Sequence, residues 1–165
     1  MRGRISIVTK FKIEKFEGDW KSREEAISAG VEPYEVIEFE KNIGLNEGIE
    51  EAWKLICGIG GTAFDSSNAH IGVGDGTTAE DASQTGLQGT NKCYKGMDAG
   101  YPSVSGTKAT FRATFGSDDA NFSWQEITVA NGSDDSAKNL IRKVQDMGTK
   151  TSGSTWIATV EITMS

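Results

Sequence analysis

The side chains able to do chemistry are few, and their spacing fits no familiar reaction. His70 is the one histidine, and Cys57 and Cys93 are the two thiols. A metal centre built on several imidazoles therefore lacks its ligands. A nucleophile–histidine–acid site would have to bring His70 beside a cysteine or a serine, and no serine stands in a Gly-x-Ser-x-Gly elbow. His70 opens a predicted strand, where a structural role is expected. Gly58-Ile59-Gly60-Gly61 and Gly72-Val73-Gly74-Asp75-Gly76 invite a phosphate-binding reading. Such a loop needs its glycines between a strand and a helix N-terminus, so that amides and dipole face the anion. Gly58 follows a helix instead, and no Gly-Lys-Ser/Thr closes either run, so turn glycines are the expectation.

Calcium would need carboxylate and carbonyl oxygens converging on one point. Asp75, Glu80 and Asp81 share one loop, Asp118 and Asp119 a second, Asp134 and Asp135 a third, and none has the spacing of an EF-hand. Aspartate is common in turns because it bonds its own backbone. No metal, cofactor or catalytic residue is assigned, and a non-enzymatic protein is expected. Among the four tryptophans, Trp53 and Trp156 lie on patterned apolar faces and read as core. Trp20 sits in a polar connection and is a candidate contact for a ligand or partner. The first 15 residues hold Arg2, Arg4, Lys10, Lys12 and Lys15 against Glu14 alone, whereas residues 32–51 are rich in glutamate. Either a basic arm docks on an acidic neighbour, or a lysine-faced strand resists edge-to-edge aggregation. Trp20, Arg2, Arg4, Lys10 and Lys12 are therefore the candidate partner contacts.

Totals narrow the class. The 165 residues suit one domain over 1–165, with residues 1–16 a candidate N-terminal arm or swapped strand. A net charge of −7 argues against a general nucleic-acid binder, which needs a basic surface to neutralise phosphates. Apolar runs span only a few residues, far short of the roughly 20 a membrane helix needs. The start, Met1-Arg-Gly-Arg-Ile-Ser-Ile-Val8, has no sustained apolar region, so no signal peptide is expected. Cys57 and Cys93 are expected as free thiols.

The elements that position these residues read mainly as β. Ile5, Ile7, Thr9, Phe11 and Ile13 alternate with polar residues, the period-two pattern of a half-buried strand. Ser22 and Glu25 form a capping box for a short helix over about 23–29. A strand over Tyr34–Glu40 has apolar residues on both faces. The main helix, about 47–57, has Asn46 as its expected N-cap and carries Ile49, Ala52, Trp53 and Ile56 on one face. It is expected to cap a β structure with that face. Further strands follow at Ala69–Val73, Lys92–Met97, Thr107–Phe115 and Phe122–Ala130, and in the segment from Trp156 to Met164. In the first of the long ones Ala109, Phe111, Ala113 and Phe115 face inward. Phe122 and Trp124 are placed opposite Ile127 and Val129. Gly116-Ser-Asp-Asp119 and Gly132-Ser-Asp-Asp135 are near-duplicate turns of an antiparallel meander, and Thr151-Ser-Gly-Ser154 closes the last hairpin. The pattern predicts an antiparallel β-sandwich or a jelly-roll-like barrel, with an open sheet covered by the helix as the alternative.

Several segments, taken in order, resemble a family of structural proteins of tailed bacteriophages. They are Asn46-Glu-Gly-Ile-Glu-Glu-Ala-Trp53, Gly60-Gly-Thr-Ala-Phe64, Ile71-Gly-Val-Gly-Asp-Gly-Thr-Thr-Ala79, Thr85-Gly-Leu87, Phe111-Arg-Ala-Thr-Phe115, Trp124-Gln-Glu126 and Gly153-Ser-Thr-Trp156. The resemblance covers roughly residues 34–165 and implies a virion component, with no catalytic or binding residues to carry over. The role it implies first is a capsid decoration (cementing) protein, assembled in the host cytoplasm, that forms a homotrimer and binds the major capsid protein. The alternative is a tail or fibre protein that binds host-surface glycan.

Overall fold

The computed structural model describes Gly3 and residues 5–165. They form two five-stranded antiparallel sheets packed face to face, the sandwich of the architectures expected. Sheet A contains β1 (Ile7–Glu17), β2 (Glu35–Glu40), β6 (Ser103–Ser105), β7 (Lys108–Phe115) and β10 (Ser154–Met164), in the order β2-β1-β10-β7-β6. Sheet B contains β3 (Ile43–Gly44), β4 (His70–Gly74), β5 (Lys92–Gly96), β8 (Ser123–Ala130) and β9 (Asn139–Thr149), in the order β3-β9-β8-β4-β5. Two helices, α1 (Arg23–Ser28) and α2 (Asn46–Cys57), complete the described chain. From Ile7 onward, the stretch considered as an arm or swapped strand is an inner strand of its own sheet, between β2 and β10.

Alternation builds the core as expected in the long strands. Phe11 and Ile13 of β1, Phe111, Ala113 and Phe115 of β7, and Trp156, Ala158 and Val160 of β10 point between the sheets. They meet Ile71, Val73, Trp124, Ile127, Val129 and Ile141 of sheet B. Trp124 packs edge-on against both Phe115 and Trp156, with centroids 4.8 Å apart in each pair. Such aromatic pairs add about 0.5–1.5 kcal/mol beyond the area they bury.

Three readings of the sequence need correction. Trp124 and Ile127 lie in the same core, because the β8–β9 register shifts between Trp124 and Glu126 and the alternation of β8 breaks there. The duplicate turns are not equivalent. The one at 116–119 carries the chain from sheet A to sheet B, and the one at 132–135 closes the β8–β9 hairpin. The 151–154 turn crosses back to sheet A rather than closing a hairpin, since β9 and β10 belong to different sheets. β9 itself was not among the expected strands, because Arg142 and Lys143 interrupt its apolar pattern.

On the outer face of sheet A, α1 covers a small second core of Phe16, Ala26 and Ile157. Ser22 caps that helix as predicted, its Oγ accepting the Glu25 amide at 3.1 Å. Arg112 ties the layer together, donating to Glu24 at 2.7 Å and Asp98 at 2.8 Å. Arg23 pairs with Glu14 at 2.9 Å.

Candidate interaction surface

The main helix forms where expected but faces the other way. Leu45, not Asn46, is its N-cap, and Gly58 ends it in the left-handed region at φ 65°. Gly48 and Glu51 are the residues it buries. Ile49 is exposed, Trp53 is 59% exposed, Ile56 72% and Ile59 in the following turn 74%. Trp53 is therefore not core.

The reason lies in how α2 is held. Gly48 rests directly on the backbone of Asn139 and Leu140, where any Cβ would collide. The Glu47 carboxylate accepts the Asn139 amide at 2.9 Å and its side-chain amide at 3.1 Å. Glu51 accepts the Thr62 amide at 2.6 Å. The fully buried Leu45 donates its N–H to Leu140 O at 3.1 Å. Polar bonds and a glycine contact thus fix one side of the helix. Ile49, Trp53 and Ile56, spaced four and three residues apart, form a stripe on another side, and Ile59 extends the apolar surface. Glu50 is on the rim, paired with Lys54 at 3.1 Å.

The Gly-rich acidic segment has a different task. Residues 75–91 fold over sheet B as a flap, anchored on Glu126, which is fully buried. Glu126 Oε1 accepts the amides of Gly76 at 3.1 Å and Gly89 at 2.7 Å, and Oε2 accepts that of Gln88 at 2.9 Å. Arg142, equally buried, donates Nε to Glu126 at 2.8 Å and Nη1 to Thr78 O at 2.9 Å. A Cβ on Gly76 would stand 2.5 Å from the Glu126 carboxylate, so the approach requires glycine.

The carboxylates of the acidic loops are likewise engaged within the chain, by backbone amides and by basic or hydroxyl side chains. Asp75 accepts from Thr90 and Asn91, Asp119 from Gly116 and Lys95, Asp134 from Ser136, and Asp135 from Lys92 and Tyr94. Among the described residues no group of three or more His, Cys, Asp or Glu is placed to hold a metal ion. His70 Nδ1 lies 2.8 Å from Asn68 O. Cys57 and Cys93 are free thiols, and burial pushes the Cys93 thiol up.

The sequence-selected contacts do not form one site. Trp20 packs against the small core under α1, and its indole N–H donates to Glu17 O at 2.6 Å. Lys10 lies 3.9 Å from Glu40, and Lys12 lies 3.7 Å from Glu14. Both flank a cleft of about 380 Å³ lined also by Glu38, Glu40 and Glu161. The basic first strand is thus set beside the acidic β2 within one chain. Arg2 and Arg4 lie outside the described residues. Sequence reasoning found the stripe on α2 but turned it toward the core, although Gly48 was a signal. Glycine inside a helix costs about 1 kcal/mol relative to alanine and often marks close backbone approach. No protein-family model, curated protein or solved structure matches the chain.

Proposed function

We propose that this chain is a non-enzymatic structural component of a tailed-phage virion, a capsid decoration protein that docks on the head shell through the exposed flank of α2. The observation that carries the proposal is the uncovered row of Ile49, Trp53, Ile56 and Ile59 on an element otherwise firmly bonded to the sandwich. Apolar surface left in water forgoes about 25 cal/mol per Å², and contiguous exposed apolar side chains mark contact with another macromolecule. A helix presenting anchors at this spacing fits a groove on a partner. The stripe's rim carries both signs, Glu50 paired with Lys54, so the contact is read as chiefly apolar. The phage-like order of segments supplies the partner class, the major capsid protein, and the location, the virion.

The test is immunogold electron microscopy of phage particles from a culture encoding the chain, with antibody against it. Regular label over heads is the expected result. Absence of label from intact particles overturns the proposal. Label confined to tails would favour the second reading, a tail protein binding host glycan. One observation supports that reading: Trp53, not Trp20, is the indole exposed for a sugar ring to stack on.

A further inference from the structure

We infer that Lys150 and Asn121 are the two ends of a covalent cross-link, an isopeptide bond from Lys150 Nζ to Asn121 Cγ that the folded chain forms by itself. The inference does not rest on the decoration role. It assigns a modification site to the connections that cross between the sheets.

Lys150 is 1% exposed, so its amine is carried into the interior. There it meets carbonyl oxygens rather than carboxylates: Nζ donates to Gly116 O at 2.6 Å and to Asn121 Oδ1 at 3.0 Å. Asp119, the acid that acts on it most strongly, pairs instead with Lys95 at 2.7 Å. Burial pulls the Lys150 ammonium below the ordinary lysine range, because the charged form is the costlier one to bury. A desolvated, neutral lysine is a nucleophile. Other lysines of the sandwich differ, since Lys15 meets Glu35 at 2.7 Å and Lys92 meets Asp135 at 3.0 Å. Those carboxylates favour the ammonium form and offer no amide to attack.

The target is held in place. Asn121 Nδ2 donates to Ser117 O at 2.8 Å, which turns Oδ1 toward the amine. The Lys150 amide donates to Phe122 O at 3.1 Å, next to the Ser123–Thr149 pair that ends the β8–β9 ladder. Backbone pairing thus brings the two side chains together. Cγ is bonded to Oδ1, so the amine stands beside the carbon it must reach, with the freedom of both partners already lost on folding.

The step balances without an oxidant or reductant. The ammonium first gives up a proton, and the lone pair of neutral Nζ then forms the Nζ–Cγ bond. The Cγ–Nδ2 bond breaks, one Nζ proton passes to Nδ2, and ammonia departs, taking up the first proton as ammonium. Asn121 is exposed, so water can relay the protons and carry the product away. The new bond links residues 29 apart in sequence. It ties the connection at 116–122, which leaves sheet A, to that at 150–153, which returns to it. Such a link restricts the unfolded chain and so favours the folded one.

The experiment is intact-mass spectrometry of the denatured full chain, followed by tryptic mapping, after incubation until the mass stops changing. The wild type is expected to be lighter than its sequence by one ammonia, with a branched peptide joining Asn121 to Lys150, where trypsin no longer cuts. Asn121→Ala and Lys150→Arg are expected at their full sequence masses. Asn121 is exposed, so its variant keeps the wild-type far-UV circular dichroism even where Lys150→Arg, at a buried position, fails to fold. A wild type at full sequence mass overturns the inference and leaves Lys150 an internal ammonium ion bonded to carbonyls. So does an ammonia loss without the branched peptide, as a succinimide at Asn131-Gly132 would give, or a loss that persists in folded Asn121→Ala.

Discussion

Replacing Glu126 by alanine should cost more than any surface substitution in this chain, and the structure says why. Glu126 and Arg142 are both fully buried and bonded at 2.8 Å. Removing the carboxylate leaves a guanidinium in the interior with only Thr78 O and Gln84 Oε1 as acceptors. Breaking a buried pair in this one-sided way costs about 3–5 kcal/mol. The amides of Gly76, Gln88 and Gly89 lose their acceptor as well, at about 1–3 kcal/mol each if they stay buried. These terms do not add in full, because the flap can open and hydrate its own amides. The expected loss is therefore about 3–5 kcal/mol, a large share of the roughly 5–15 kcal/mol that holds a domain together. Urea unfolding measures it as a lowered midpoint, and hydrogen exchange at the three amides shows whether the flap opens. Arg142→Ala and the double variant complete a cycle, with a coupling of about 1–3 kcal/mol expected. A single-variant loss below about 1 kcal/mol, or strict additivity, would refute the claim that this pair anchors the flap.

Three further outcomes follow from particular contacts. Gly48→Ala should destabilise by about 1–3 kcal/mol in urea unfolding, because overpacking against Asn139 and Leu140 outweighs the helix propensity alanine gains; a stabilised variant would show that α2 is free to shift. The side-chain bond from Asn91, with the backbone amides of Asn91 and Thr90, holds the Asp75 carboxyl below the ordinary carboxylate range. A depressed folded pKa stabilises above the unfolded value, about 3.9, and that contribution is lost as pH falls through the folded value. NMR titration should therefore show the Thr90 and Asn91 amides steady above about pH 4 and shifting only below it, with Asp75→Asn abolishing the transition. Iodoacetamide near neutral pH should modify the exposed Cys57 well before the half-buried Cys93, whose thiol is pushed up by burial, as read by peptide mapping; equal labelling rates would contradict that difference in environment.

How far the sequence could be read depended on whether each element had one buried face. Residues 9–13, 109–115 and 158–162 alternate cleanly because each turns one side to the core between the sheets, and there strand and facing were both legible. Around Trp124 the alternation misled, since a bulge leaves no mark in composition. β9 escaped notice because Arg142 is buried by a partner on another strand, and no local pattern announces a pair that forms only after folding. The helix over 46–57 was legible and its facing was not. Periodicity says which residues share a side, but not whether that side meets the sheet or the solvent. Here Gly48 and the hydrogen bonds of Glu47 and Glu51 decided it, drawing the polar side inward. The acidic loops were expected as turns, and their carboxylates do bond neighbouring backbone at Asp81 and Asp134, whereas Asp75 reaches across to Thr90 and Asn91. Trp20 and Trp53 exchanged roles for the same reason as the helix: a polar neighbourhood in sequence held a packed indole, and an apolar one held an exposed indole.

The most direct test of the α2 flank as the docking surface is oxidative footprinting of Trp53, in the free chain and in purified particles. Trp53 should oxidise readily in the free chain and be protected on particles, while the core Trp124 stays protected in both. Equal oxidation of Trp53 in the two states would contradict the account.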